Sequence, residues 1–168
     1  MGNPAPTLVS WIAVNNDPYE RNPQSGEFIR DDGELIEGPT LSLLFNPDSD
    51  FAGKVQDIVF LHRVGDGKND TRERRAVVET IEALQNRDPS LRIHLESWTG
   101  DDPTDHHAIF EFLQARLPVI RRKFRGRELL LHISPGTPSM QTIWVLMAET
   151  GFVEPPFRML KSYRRSER

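Results

Sequence analysis

The sequence predicts an α/β fold: a doubly wound, mostly parallel sheet with helices on both faces and a small β-hairpin inserted after the first strand. Three observations carry this. Strand-like apolar runs alternate with stretches of helical periodicity along the chain. The runs at 7–14 and 128–134 are apolar on both faces, as strands covered on two sides require. Residues 19–39 are polar and contain Gly and Pro, so they interrupt the alternation as an insertion.

The first strand, 7–14 (TLVSWIAV), is broken only by Ser10 and ends at Asn15-Asn16-Asp17-Pro18, whose side chains bond nearby backbone. Within the insertion, Asp32-Gly33 favours a type I′ turn joining residues 27–30 to 34–37. The alternative is a functional lid or a disordered loop. Residues 40–45 (TLSLLF) fit either a short helix or a buried extended piece. The second main strand, 56–62, centres on Ile58-Val59-Phe60-Leu61. After a turn at 64–69, Asp70 is an N-cap with Glu73 three residues on, and Val77, Ile81 and Leu84 form one face of a helix to about Asn86.

Residues 91–98 alternate Leu91, Ile93 and Leu95 with Arg92, His94 and Glu96, so this strand has a wetter face and lies nearer an edge. Asp102-Pro103 supplies N-cap and N1 for a helix to Phe124, with Ile109, Leu113, Leu117, Ile120 and Phe124 in one stripe and a kink or split at Pro118. The strand at 128–134 breaks at Ser134-Pro135-Gly136-Thr137-Pro138. Thr137 then caps a helix with Pro138 at N1. Met140, Ile143, Trp144 and Met147 form its stripe, Val145 and Leu146 widen it, and Gly151 takes C′. Residues 157–163 are the last strand.

At 168 residues the chain fits one domain spanning 1–168. A net charge of −4 supplies no global field for nucleic acid or membrane. The absence of cysteine excludes disulfides and thiol chemistry and fits a cytoplasmic protein. No signal peptide and no membrane-spanning run is present in the sequence.

Common catalytic motifs are missing. Gly65-Asp66-Gly67-Lys68 fails as a phosphate-binding loop, although it follows a strand and precedes a helix. Asp101, Asp102, Asp105, His106 and His107 cluster, but acidic residues in a first helical turn are favoured by the dipole, so no metal is expected. His132 reads as a hydrogen-bonded core histidine, and His62 and His94 receive no role. The run Arg121, Arg122, Lys123, Arg125 and Arg127 reads as a solvated cap at a helix C-terminus.

Fold rules place the first strand beside the strand at 128–134. That is the switch point, outside whose carboxyl ends ligands bind. Asn15-Asn16-Asp17 and Ser134-Pro135-Gly136-Thr137 then face one crevice. N–H groups at the second helix start favour an anion, and Gly136 lets a phosphate approach the backbone.

The run from SWIAV to NNDP, GPTLSLLF, IVFLHR and above all LLLHISPGTPSMQTIWVLMAETGF resembles a CRISPR-associated Rossmann fold (CARF) domain. The likeness is greatest to the N-terminal sensory domain of RtcR-type RNA-repair transcriptional regulators. The resemblance implies a Rossmann-like fold and the N-terminal part of a longer protein. It also implies a homodimer that binds a cyclic oligoadenylate, or an RNA 2′,3′-cyclic phosphate end, across its two-fold. Carried onto this sequence, it assigns ligand binding to Asn15, Asn16, Asp17, Ser134, Gly136, Thr137, Ser139 and Gln141. It implies no cofactor, no membrane, DNA contact only through other domains, and a role in transcription regulation or CRISPR-linked antiviral defence. Here the glycine-containing loop has no lysine. The alternative is a metal-independent ring nuclease in the same pocket, with Ser134, Thr137 or Asn16 orienting a ribose 2′-OH.

Overall fold

The computed structural model describes residues 4–64 and 70–162. Five strands form one parallel sheet: β1 (Thr7–Trp11), β4 (Asp57–Arg63), β5 (Arg92–Trp98), β6 (Leu129–His132) and β7 (Phe157–Leu160), in the order β5-β4-β1-β6-β7. The chain runs outward from β1 through β4 to β5, returns to β1's other side as β6, and ends at β7. The switch therefore lies between β1 and β6, paired Thr7–Leu129 through Ser10–His132, where fold rules put it. The alternating strand is indeed an edge, β5.

Side-chain alternation splits the core into two layers. Val9, Trp11, Val59, Leu61, Leu129 and Leu131 pack against α3 (His106–Lys123) and α4 (Pro138–Glu149). Leu8, Ile58, Phe60 and Leu130 pack against α1 (Pro39–Phe45) and α2 (Asp70–Arg87). Both faces are covered, as the continuous apolar runs demand. The 40–45 stretch resolves as helix, with Gly38 at the N-cap and Pro39 at N1. The hairpin is smaller than expected: β2 (Arg30–Asp31) and β3 (Glu34–Leu35) joined by Asp32 and Gly33, both at positive φ, the signature of a type I′ turn.

Several expectations need correcting. β1 stops at Trp11 because the Asn16 and Asp17 amides take the Ala13 carbonyl, starting a turn there. The helix expected from Pro103 begins at His106, capped by Asp105, whose carboxylate accepts from the Ala108 N–H at 3.1 Å. Asp102 instead closes a local turn on Thr104. Pro118 does not split this helix. Val145 and Leu146 do not widen the buried stripe of α4: they are 38% and 48% exposed, while Ile143, Trp144 and Met147 are buried. Arg121 is not solvated; it is 7% exposed and donates to the carbonyls of Phe124 at 2.7 Å and Pro156 at 3.1 Å. The 65–68 turn lies outside the described residues, and so does the Asp70 side chain expected to cap α2.

Among the described residues, no helix is long and apolar enough to cross a membrane, and no three His, Cys, Asp or Glu side chains gather as metal ligands.

Candidate functional site

At the carboxyl ends of β1, β4 and β6 a crevice of about 330 Å³ opens. Asn15 and Asn16 from the first corner, Gly136 and Thr137 from the second, and Trp11 and His62 line it. Two corners more than a hundred residues apart in sequence thus share one wall, as a switch point requires.

The second corner is held by its own side chains. Thr137 caps α4: its hydroxyl accepts from the Met140 N–H at 3.2 Å and donates to the Pro103 carbonyl at 2.7 Å. The Gln141 side-chain amide donates to the carbonyls of Ser134 at 3.0 Å and Gly136 at 3.4 Å. Ser134 Oγ donates to the Ser162 carbonyl at 2.9 Å and accepts from its N–H at 2.7 Å. Gly136 adopts φ +103, a conformation L side chains rarely take, and a Cβ there would meet Met140 Sδ at 3.0 Å. Among the described residues, the Thr137 N–H has as acceptor only Met140 Sδ, at 3.4 Å, a weak one. An anion at this helix start would replace a poor partner with a good one.

The first corner is anchored from below. Asp17 is fully buried and its carboxylate accepts from the Ala13 N–H at 2.8 Å. Burial raises its pKa to about 6, an effect the Ala13 bond offsets only in part. Asp17 thus sits under the crevice, outside its lining. Ser139, 9% exposed on the first turn of α4, is likewise outside the lining, as are Ser134 and Gln141, which brace the loop. Of the eight residues the resemblance assigns, the fold brings Asn15, Asn16, Gly136 and Thr137 to the crevice.

Among the lining residues that the sequence reading did not assign to the site are the titratable His62, Arg63, Arg72 and Glu73. His62 and Arg63 end β4, and any strand next to the switch delivers its last residues there. Arg63 Nε donates to Glu73 Oε1 at 2.9 Å, and its Nη1 donates to the Asp101 carbonyl at 2.9 Å. Burial lowers the His62 pKa, so its imidazole is neutral at pH 7. Trp11 is 1% exposed and its indole N–H has no acceptor among the described residues.

His132 is buried beside the site without reaching it. Its Nδ1 lies 3.1 Å from Ser10 Oγ and its Nε2 lies 2.7 Å from Ser162 Oγ. Burial drives its pKa to about 3, so it is neutral and structural, as its place in an apolar strand suggested.

This architecture defines the class: a Rossmann-like α/β domain with its crevice at the β1–β6 switch. No protein-family model matches the sequence, and no curated protein matches it. Among solved structures, the chain is similar to Csm6 of Enterococcus italicus bound to cyclic hexa-2′-fluoro-hexa-dAMP, with a TM-score of 0.67 and 17% identity. The match covers 96% of this chain and 34% of that one. This chain therefore spans about a third of that protein, and the likeness establishes the fold.

Proposed function

We propose that this chain is the sensor domain of a homodimer. It binds a cyclic oligoadenylate, or a related phosphorylated RNA end, and regulates a C-terminal effector. The observation that carries the reading is the meeting of Asn15-Asn16 with Gly136-Thr137 in one crevice. Amide side chains suit adenine edges, and a capped helix start with a weakly engaged N–H suits phosphate. The likeness to a protein solved with a cyclic adenylate ring supports the ligand class.

A ring with near two-fold symmetry matches an isologous pair. The exposed Val145 and Leu146 on α4, the helix that starts at this crevice, give a second copy an apolar surface to cover. Differential contacts in the bound and free states would then shift the dimer and its attached effector. Isothermal titration with cyclic tetra- and hexa-adenylate, and with RNA ending in a 2′,3′-cyclic phosphate, tests the reading, with light scattering for the dimer. Heat with one of these supports it; no heat with any overturns it.

A second reading, ring cleavage, draws on His62: a neutral imidazole in the crevice wall could take the proton of a ribose 2′-OH. Incubation with labelled ring decides it. Linear product that disappears in His62→Ala supports cleavage, and an intact ring after hours removes it.

A further inference from the structure

A smaller hollow, of about 40 Å³, lies beside the crevice and is lined by Asn15, Arg21, Ser25, Gly26, Arg72 and Arg75. Val14, Asn15 and Arg72 line both spaces, so the two adjoin. At roughly 10–15 Å³ per water-sized position, the hollow has room for about three. That suits one phosphate group and is too small for a nucleoside.

The insertion and α2 build it together. The Arg21 N–H donates to the Asn15 carbonyl at 2.8 Å, tying the insertion to the first corner. Asn22 Oδ1 accepts from the Gln24 and Ser25 amides at 2.8 and 3.2 Å and so fixes the turn. Arg21, 6% exposed, stacks over the Phe28 ring with its guanidinium 4.2 Å from the centroid.

The charge is unbalanced. Arg21 and Arg75 share one carboxylate, Glu79, and Glu27 acts on Arg75 from further off. Arg72 is held differently: its guanidinium donates to the carbonyls of Pro23 and Gln24, and among the described residues to no carboxylate. Among the described residues, then, no carboxylate pairs with this guanidinium, which lines both spaces in a chain whose net charge is −4.

We propose that this hollow is a phosphate subsite, in which Arg72 holds one phosphate group of an oligonucleotide lying in the crevice. The inference rests on the sensor reading and deepens it: α2, with Arg72 held by the insertion's Pro23 and Gln24 carbonyls, supplies the cation that the glycine-containing loop lacks. Each terminal nitrogen of Arg72 keeps one N–H beyond those given to Pro23 and Gln24, and charged guanidinium N–H groups suit phosphate oxygens. A ring offers a phosphodiester, and a linear end offers a phosphomonoester with more charge.

The test is titration of the wild type, Arg72→Ala and Arg72→Lys at two salt concentrations. The ligands are cyclic hexa-adenylate and linear tetra-adenylate with a 3′-phosphate. Arg72→Ala should weaken binding by about 10- to 100-fold, and its salt slope should fall by nearly one unit, as loss of one phosphate contact predicts. Arg72→Lys should keep the slope and lose less affinity. Stronger loss with the linear ligand assigns the subsite to a terminal phosphate; stronger loss with the ring assigns it to a diester. Wild-type affinity and slope in Arg72→Ala would overturn the subsite and leave the sensor reading standing. A lower affinity with an unchanged slope would overturn it too, since only a structural role remains. Should the wild type bind neither oligonucleotide, the sensor reading fails, and inorganic pyrophosphate then reads the hollow alone. Thermal stabilisation of the wild type that Arg72→Ala lacks supports the subsite, and equal shifts overturn it.

Discussion

Gly136→Ala isolates the corner to which the proposed function assigns phosphate binding. Gly136 sits at φ +103, and its added Cβ would lie 3.0 Å from Met140 Sδ, 3.3 Å from Met140 Cβ and 3.5 Å from Trp11 Cβ. Two costs add. A non-glycine residue held at such a φ costs about 1–3 kcal/mol. The contacts with Met140 and Trp11 add roughly 1 kcal/mol, because Met140 Cβ belongs to a helix and yields little. For a chain of this size each kcal/mol lowers the melting temperature by about 2–4 °C, so a fall of roughly 4–16 °C is expected. Gly33→Ala is the matched control: φ is +79 and nothing lies within 4 Å of its Cβ, so only backbone strain remains. Scanning calorimetry of both variants separates strain from crowding, and titration with cyclic hexa-adenylate reads the site. Gly136→Ala should lose at least tenfold in affinity while Gly33→Ala binds normally. Equal melting temperatures for the two variants, or wild-type binding by Gly136→Ala, would refute the argument that the loop needs a glycine here.

Gly38→Ala tests the other corner: a Cβ there would stand 1.6 Å from the Asn16 carbonyl oxygen with no strain in φ, so that oxygen must move. Overpacking of about 2–3 kcal/mol should appear in denaturant titrations together with weakened oligonucleotide binding; unaltered binding would remove Asn15-Asn16 from the site. Asp17 has its pKa raised from 3.8 to about 6, so the folded state prefers the protonated form. Its contribution is therefore fully present below about pH 4 and lost as pH rises through 6, worth about 3 kcal/mol at 1.36 kcal/mol per unit. Asp17→Asn should flatten the stability profile between pH 4 and 7, and an unchanged profile counts against the assignment. At the opposite end of the sheet, Asp57 is held far below the usual carboxylate range, chiefly by hydrogen bonding to Arg92, with His94 and Arg127 adding to it. Its stabilisation is present at neutral pH and lost on acidification. Asp57→Asn should cost about 3 kcal/mol at pH 7 and less at pH 2, measured by urea unfolding at both.

Most of the sheet was legible because its signals are local. Leu129-Leu130-Leu131 is buried on both faces wherever it pairs, and Thr137-Pro138 caps a helix in any context. The switch followed from chain order alone. What escaped needs three-dimensional knowledge. Asp102 and Asp105 are equally good caps on paper, and only Asp105 has its carboxylate on the Ala108 amide. Val145 and Leu146 are as apolar as Ile143, but the neighbours of α4 cover only one side of it. Arg121 belongs to a run that reads as solvated, yet the turns at Phe124 and Pro156 bring carbonyls around it. In the site, Asn15, Asn16, Gly136 and Thr137 could be named because they follow strands that flank the switch. Arg72 could not, because it lies on a helix whose approach to the insertion is set by contacts with Pro23, Gln24 and Gly26.

The two corners are made firm by different means, and that difference bears on how binding could be transmitted. The Gly136-Thr137 corner is locked by its own helix through Gln141 and Thr137, and by Ser162, the second residue past β7. Anything continuing from the C-terminal side of β7 is therefore mechanically tied to this loop through Ser134. Among the described residues, the Asn15-Asn16 corner has no such tie to the segment after β7. It is braced by Asp17 beneath and by the insertion, through Arg21 on the Asn15 carbonyl and Gly38 against the Asn16 carbonyl. A ligand bridging the corners would join an element that leads outward along the chain to one that is anchored in the domain. Movement of one against the other would be felt first at Ser134 and Ser162, where a single hydroxyl serves as both donor and acceptor, because a hydroxyl holding both roles loses both when its partner shifts.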